Sequence, residues 1–505
     1  MRATFMGFET ATRGIQANQK AIDVIGNNVS NIGVTGYTRQ RVDLSSLSVN
    51  TRYSRYANRT TAFAGQGVVA NGVSQIRDTF LDKRFREEYA DVGYYDKLTE
   101  VLGDIENAMT EIEPSNITTA LSQFKNAWAQ MQVEGGQDEV TASTILAAAR
   151  SLTQVFKQMD TKLNNVWEQQ HFDLETNVGS VNSILQSIAN LNAQIKTEIF
   201  TSYGVGNAYY KPNELYDARN VLLDQLSEYG NINVKENEDG TVTVTMGSDN
   251  HVVVEDDKFD ALNVSAGKGG QTTSLTWQTT GKSADMSSGG LKASMQMLNG
   301  RGTAADATKG EDVEKGILYY MDKLDAFAVT LADAFNSSIE IMDADGNPTG
   351  TYKELFSFTD ENGEKTAGGF TLSNSWADDP SYIMTNVHPK GEGADDTTFV
   401  SNIIALFTKT LDFGEYKGTF DGYVSYYTNA NLANQKSTSQ TRLDASTELS
   451  DSILKKISAI SGVSMDEEGI DLTQYQKAYN AMSRVMTTLD EALDKLINDT
   501  GRVGR

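Results

Sequence analysis

The chain of 505 residues contains no cysteine, only five prolines and only three histidines. Without cysteine there is no disulfide framework, no thiol nucleophile and no thiolate metal site. That absence fits either the bias of a bacterial proteome or a protein that works outside the cell after passing unfolded through an export channel. Few prolines suit long uninterrupted helices. His171, His251 and His388 are scattered, no H-E-x-x-H occurs, and no Gly-rich phosphate loop is present. No constellation for nucleophilic, metal or phosphoryl chemistry is visible, so the reading is a non-enzyme without a cofactor. No apolar run approaches the roughly 20 residues of a membrane span. The opening MRATFMGFETATRGIQ lacks the apolar centre and small-residue cleavage site of a secretory signal, and is expected to be retained. A basic excess is missing too. The formal charge of −25 argues against nucleic acid as the partner. The sign reverses only at the start, where residues 1–59 carry eight Lys/Arg against three Asp/Glu.

What is present is a matching stripe at each end. Phe8, Ala11, Ile15, Asn18, Ile22, Ile25, Val29 and Ile32 follow one another in 3-4 spacing, and Leu472, Tyr475, Tyr479, Met482, Met486, Leu489, Leu493 and Leu496 do the same. Such a repeat lays one stripe on one helix face, and the stripe leaves water only against a partner helix. The economical partner for each end is the other. Asn18, inside the seam, reads as a register-setting amide or as a residue at a wet edge.

Between the ends the pattern is mostly helical. The first helix is expected over about 4–32, stopping at Gly33 with Gly36 closing the turn. Residues 37–75 read as irregular or extended, and helices follow at 77–110 and after Pro114-Ser115. Past Gly135-Gly136 comes the longest signal. There Ile145, Ala149, Leu152, Phe156, Met159, Leu163 and Val166 form one seam. Leu174, Val178, Val181, Leu185, Ile188, Ile195 and Ile199 form another, with Asn192 at the missing step. The register slips near Gln170, as in a stutter. Val242, Val244 and Met246 alternate with threonines and mark strands. Near the end, Ser464 and Glu467 have the spacing of a capping box.

The expected fold class is mainly α with a β-rich outer domain. It is a nested multidomain rod, with N- and C-terminal helices forming a coiled-coil-like terminal domain, a long-helix bundle next, and small β domains in the middle. The domains expected are 1–60 with 441–505 for assembly, 61–230 with 289–340 and 397–440 as helical rod, 231–288 as β-rich outer domain, and 341–396 as a mixed β/loop segment. Asp343-Ala344-Asp345-Gly346-Asn347, with Glu354 beyond, evokes a calcium loop, but Pro348 occupies the position that needs glycine. A β-turn rich in Asp, Gly and Asn is the better reading.

Asn27, Asn28, Val29 and Asn31 end the first helix, and Thr35-Gly36-Tyr37-Thr38-Arg39-Gln40 follows at once. By local chemistry this is a polar C-cap and turn. The run NNVSNIGVTGYTRQ also resembles the N-terminal signature of bacterial flagellar axial proteins, and its GYTRQ ending is similar to the hook-associated protein 1 family. Asp466-Glu467-Glu468, Tyr475-Gln476, Ala478-Tyr479, Arg484-Val485 and Leu489-Asp490-Glu491 resemble that family's C-terminal helix. The resemblance is strong over about 1–45 and 460–498 and weak across 231–396. It implies an exported structural subunit of the flagellum joining hook to filament. The partners it implies are copies of itself, the hook subunit, a second junction protein on the filament side, and an export chaperone holding Leu472 to Leu496. The assembly interface expected comprises the two seams with Asn27, Asn28, Asn31, Gly36 and Tyr37. Alternatives are a hook, rod or filament subunit, a secreted enzyme displayed on flagellin-like ends, or a coiled-coil adhesin. A single pair of terminal helices buries little, so the ends are expected to order fully only on assembly.

Overall fold

The structure is a computed structural model. It describes residues 6–47, 67–110, 116–133, 137–204, 210–265, 272–359, 364–389 and 397–498. Helices dominate. The first, α1 (Met6–Ser30), leads through a turn into a hairpin of β1 (Gln40–Ser46) and β2 (Val68–Gln75), with Gln40 opposite Gln75. The helices α2 (Thr79–Thr110), α3 (Ile117–Met131), α4 (Glu139–Gly204) and α5 (Asn213–Tyr229) follow. An antiparallel sheet is then built in chain order from β3 (Ile232–Glu236), β4 (Val242–Met246), β5 (His251–Glu255) and β6 (Lys258–Phe259). A separate hairpin, β7 (Leu262–Ser265) with β8 (Ser274–Trp277), precedes α6 (Gly290–Asn299) and α7 (Ile317–Asn336).

Two further hairpins pair β9 (Glu340–Met342) with β10 (Pro348–Tyr352) and β11 (Phe356–Phe358) with β12 (Phe370–Leu372). The short helices α8 (Asn374–Asp378), α9 (Thr398–Leu406) and α10 (Phe420–Ser425) follow. A π-helical turn at Tyr426–Leu432 then leads into α11 (Ala433–Ser461) and α12 (Met465–Asn498). Between β9 and β10 the Asp343 carboxylate accepts the backbone N–H groups of Asp345 and Asn347, both at 2.8 Å. That is a side chain closing a turn.

These elements form two compact units. One comprises Met1–Ala90, Val181–Ala261 and Ser446–Arg505, the other Asp91–Ser180 and Leu262–Ala445. The second unit is built on a continuous aromatic core. Phe124 of α3 lies 5.2 Å from Phe335 of α7, Phe156 of α4 lies 5.2 Å from Phe370, and Phe356 stacks on Phe370 at 5.0 Å. The α4 seam Ile145, Ala149, Leu152, Phe156, Met159 and Leu163 is buried in this unit. Helix α4 runs through the register slip unbroken. Its buried stripe continues by the four-residue steps Gln170, Leu174 and Val178, and the Gln170 amide donates to Asp104 at 2.9 Å.

In the first unit, β4 alternates buried Val242, Val244 and Met246 with half-buried threonines. Asn192, at the missing step of the α4 seam, is fully buried. Its amide nitrogen donates to the Val242 carbonyl at 2.8 Å, and its carbonyl accepts the Val242 N–H at 3.1 Å. A carboxamide thus stands in for a neighbouring strand. It holds the sheet to the helix while leaving neither backbone group orphaned.

Candidate functional site

The two ends of the chain meet in the first unit. α1 and α12 run antiparallel and in step. A Cβ placed on Gly7 would lie 3.0 Å from Leu489, and one on Gly14 would lie 3.2 Å from Met482. Seven residues forward on α1 correspond to seven back on α12. The same register brings Asn28 to Glu468, where the amide nitrogen donates to the carboxylate at 3.1 Å.

That last contact belongs to a dense polar cluster. Asn28 is 1% exposed, and its carboxamide is fully committed. Its nitrogen also donates to the Gln40 carbonyl at 2.9 Å, and its oxygen accepts the Gln40 N–H at 3.0 Å and the Tyr37 hydroxyl at 2.9 Å. The Thr38–Gln40 segment is therefore held against α1 as one strand is held by another. Next to it Arg39 reaches the first turns of α12. It binds Glu468 and Glu467 at 2.6 Å each and Asp471 at 3.3 Å. Its backbone N–H donates to the Ser461 carbonyl at the end of α11 (2.8 Å), and its carbonyl accepts from Ile76 beyond β2 (2.8 Å). Three carboxylates in the first turns of α12 also suit the positive end of the helix dipole.

Burial opposes the charge of Arg39, but Glu468 and Glu467 outweigh it and hold the guanidinium above its ordinary pKa. The Glu468 side chain is 1% exposed, so this is a buried ion pair satisfied by extra hydrogen bonds, the condition under which such pairs are tolerated. Tyr37 is pushed up to about 12, first by burial and then by Asp217, Glu214 and Glu468. Asp217 of α5 accepts Thr38 N–H at 3.3 Å and Gln75 at 2.8 Å, and burial raises its carboxyl. Gly36 has φ +80°, and a Cβ there would collide with Val221 of α5. Only glycine meets both conditions without strain.

The expected interface residues fall as follows. On α1, Ala11 and Ile25 are buried, Phe8, Ile15, Asn18, Ile22 and Val29 half-buried, and Ile32 is 46% exposed. The most buried stripe is one step away, through Ala11, Gly14, Ala17, Ala21, Val24 and Asn28. The reason is that α1 packs against the β1–β2 hairpin as well as α12, and small residues permit close approach. Large side chains mark one edge of this face, and small ones the more buried edge beside it. Asn18 donates to the Gly14 carbonyl of its own helix at 2.8 Å. Asn27 donates to Tyr37, and Asn31 donates back to Asn27. On α12, Leu472, Tyr475, Tyr479, Met482, Met486, Leu489 and Leu493 are all half-buried, and Leu496 is 54% exposed.

Arg39, Glu467, Glu468 and Asp217 are absent from the expected interface. The signal for the first three was charge complementarity between the basic start of the chain and an acidic helix N-terminus. The Ser464–Glu467 capping box is not formed by Glu467, whose carboxylate goes to Arg39.

Comparisons with known proteins agree along the whole chain. The family described as flagellar hook-associated protein FlgK helical domain matches residues 102–353. Flagella basal body rod protein matches 8–38, and flagellar basal body rod FlgEFG protein C-terminal matches 457–499. Flagellar hook-associated protein 1 of Bacillus subtilis is 28% identical, with both chains covered completely. The proteins of that name from Salmonella typhimurium and Escherichia coli are 24% and 22% identical, covering 97% of this chain and 98% of theirs. The flagellar hook junction protein FlgK from Burkholderia pseudomallei shares the fold. Its TM-score is 0.57 at 12% identity, over 74% of this chain and 99% of that one. No helix among the described residues is long and apolar enough to cross a membrane. With its terminal helices joined through one buried polar cluster, the chain belongs to the flagellar hook-associated protein 1 family, structural proteins of the bacterial flagellum.

Proposed function

We propose that this chain joins hook to filament, and that it does so through its paired terminal helices, which pack head-to-tail against copies of themselves. The observation that carries the reading is the union of the two ends in one unit by Asn28, Arg39 and Glu468. After pairing with α1, the α12 seam from Leu472 to Leu493 is still only half-buried. Apolar surface of that kind is what a neighbouring copy can cover. The residues proposed for assembly are the two seams with Asn27, Asn28, Asn31, Gly36 and Tyr37, and Arg39 with Glu468 is added to them. The β-rich 231–288 faces outward. One side of the layer meets the hook subunit and the other a second junction protein. Before assembly an export chaperone holds Leu472 to Leu496. The chain works outside the cell as a part of the flagellum and has no catalytic role.

The test is a seeding assay on isolated hooks, imaged by electron microscopy with labelled full-length protein and a form lacking 1–45 and 460–505. Label at the distal hook tip, absent with the truncated form, is expected. Label along filaments, or polymerisation without hooks, moves the chain to another axial class.

A further inference from the structure

We infer that a basic groove in the first unit receives the outer face of the α12 C-terminal end from a second copy of the chain. This rests on the self-assembly reading above and names the site at which one copy holds the next. The groove encloses about 580 Å³ between α1, the β2 residues Val68–Val73 and the approach to α5. Its cations are Lys20, Lys211 and Arg13, the last paired with Glu9 at 2.8 Å, and Glu214 is the acid among its lining residues. Gln40 also lines it. That side chain is 7% exposed, and its Nε2 is buried with no hydrogen-bond partner among the described residues. A buried amide donor beside two lysines asks for a carboxylate.

A second copy supplies one. The formal charge is −25 although residues 1–59 are basic, so the acid lies elsewhere in the chain. At the end of α12, Asp490, Glu491 and Asp494 are exposed, with Ile497 beside them at 69% exposure. Spacings of three and four put them on one helix face, turned away from the seam that meets α1. Carboxylates and one apolar side chain match a groove whose wall mixes lysine, amide and valine. Because groove and helix end belong to the same unit, each copy offers one to the next, a heterologous contact that does not close on itself.

The absence of cysteine makes the test direct. Gln16→Cys is placed in one population and Asn498→Cys in another, and the two are mixed, assembled on hooks and oxidised. A disulfide-linked dimer is expected only in the mixed, assembled fraction. Lys20→Glu with Lys211→Glu is expected to lower its yield at least tenfold. Adding Asp490→Lys and Asp494→Lys to the helix-bearing copy is expected to restore it, which excludes simple misfolding. Assembly at the hook tip without the cross-link overturns the groove contact and leaves the assembly reading intact. Failure of the unmodified chain to assemble removes both.

Discussion

Asn28 and Asn192 each offer a buried carboxamide to the N–H and C=O of one strand residue, Gln40 and Val242 respectively. Replacing Asn28 with Ala orphans both backbone groups of Gln40, at roughly 1–3 kcal/mol each. The expected loss is about 3 kcal/mol from the first unit. Asn28→Asp costs more, since it sets a second carboxylate against Glu468. All four tryptophans lie in the second unit, so the loss is read by circular dichroism in urea and by faster amide exchange at Gln40. Arg39→Ala leaves Glu468 buried and unpaired, a change worth about 3–5 kcal/mol in comparable pairs.

In the second unit, burial pushes the Asp325 carboxyl to about 7, opposed by its bond from the Ala367 N–H and reinforced by Asp160 and Asp322, with Arg301 as the nearby cation. A raised folded pKa means that the folded state holds the proton more tightly than the unfolded chain. This stabilisation is complete below the ordinary carboxylate range and is lost as pH rises through about 7. Asp325→Asn is expected to flatten that loss between pH 5 and 8, read by tryptophan fluorescence in urea.

At the scale of elements, α1 and α12 show what close packing requires of sequence. Gly14 sits inside a helix, where Ala is favoured by roughly 1 kcal/mol. Its Cβ would meet Cγ and Sδ of the Met482 side chain at 3.2 and 3.3 Å. Met yields easily. Gly14→Ala is therefore expected to be neutral or slightly stabilising, whereas Gly14→Leu forces the helices apart and lowers the first unit's melting temperature by several degrees. Most of the α12 stripe was legible because its residues are large: those from Leu472 to Leu493 are half-buried, while Leu496 at its end is exposed. The α1 face was legible only in part, because glycine and alanine carry little hydrophobic signal and α1 has two partners, α12 and the β1–β2 hairpin. The GYTRQ and Asp466-Glu467-Glu468 motifs were visible separately. That Arg39 grips Glu467 and Glu468 was not, because no local pattern couples residues more than 400 positions apart.

At the scale of the molecule, the chain ends meet in one unit, and on the function proposed above the termini are where assembly and folding are coupled. Packing is uneven within that unit. Around Asn28, Thr38 and Gln40 the chain is buried and the Gln40 backbone is hydrogen-bonded on both its N–H and its carbonyl, whereas toward Leu489 and Leu496 the helix pair is half-exposed or open. Amide exchange in the free protein is expected to protect Gln40 and Ile76 far more than Leu489. Equal, strong protection at Ile22 and Leu489 would mean that the ends are complete before assembly.

The central claim is that the contact between Arg39 and the start of α12 builds the surface that assembles. The most direct measurement is hook-tip incorporation of Arg39→Glu, Glu468→Arg and their combination, imaged by electron microscopy. Each single reversal is expected to lose the tip label, and the double reversal to regain it at least in part. If Arg39→Glu alone labels hook tips as strongly as the unaltered chain, the joined ends are not what the flagellum assembles through.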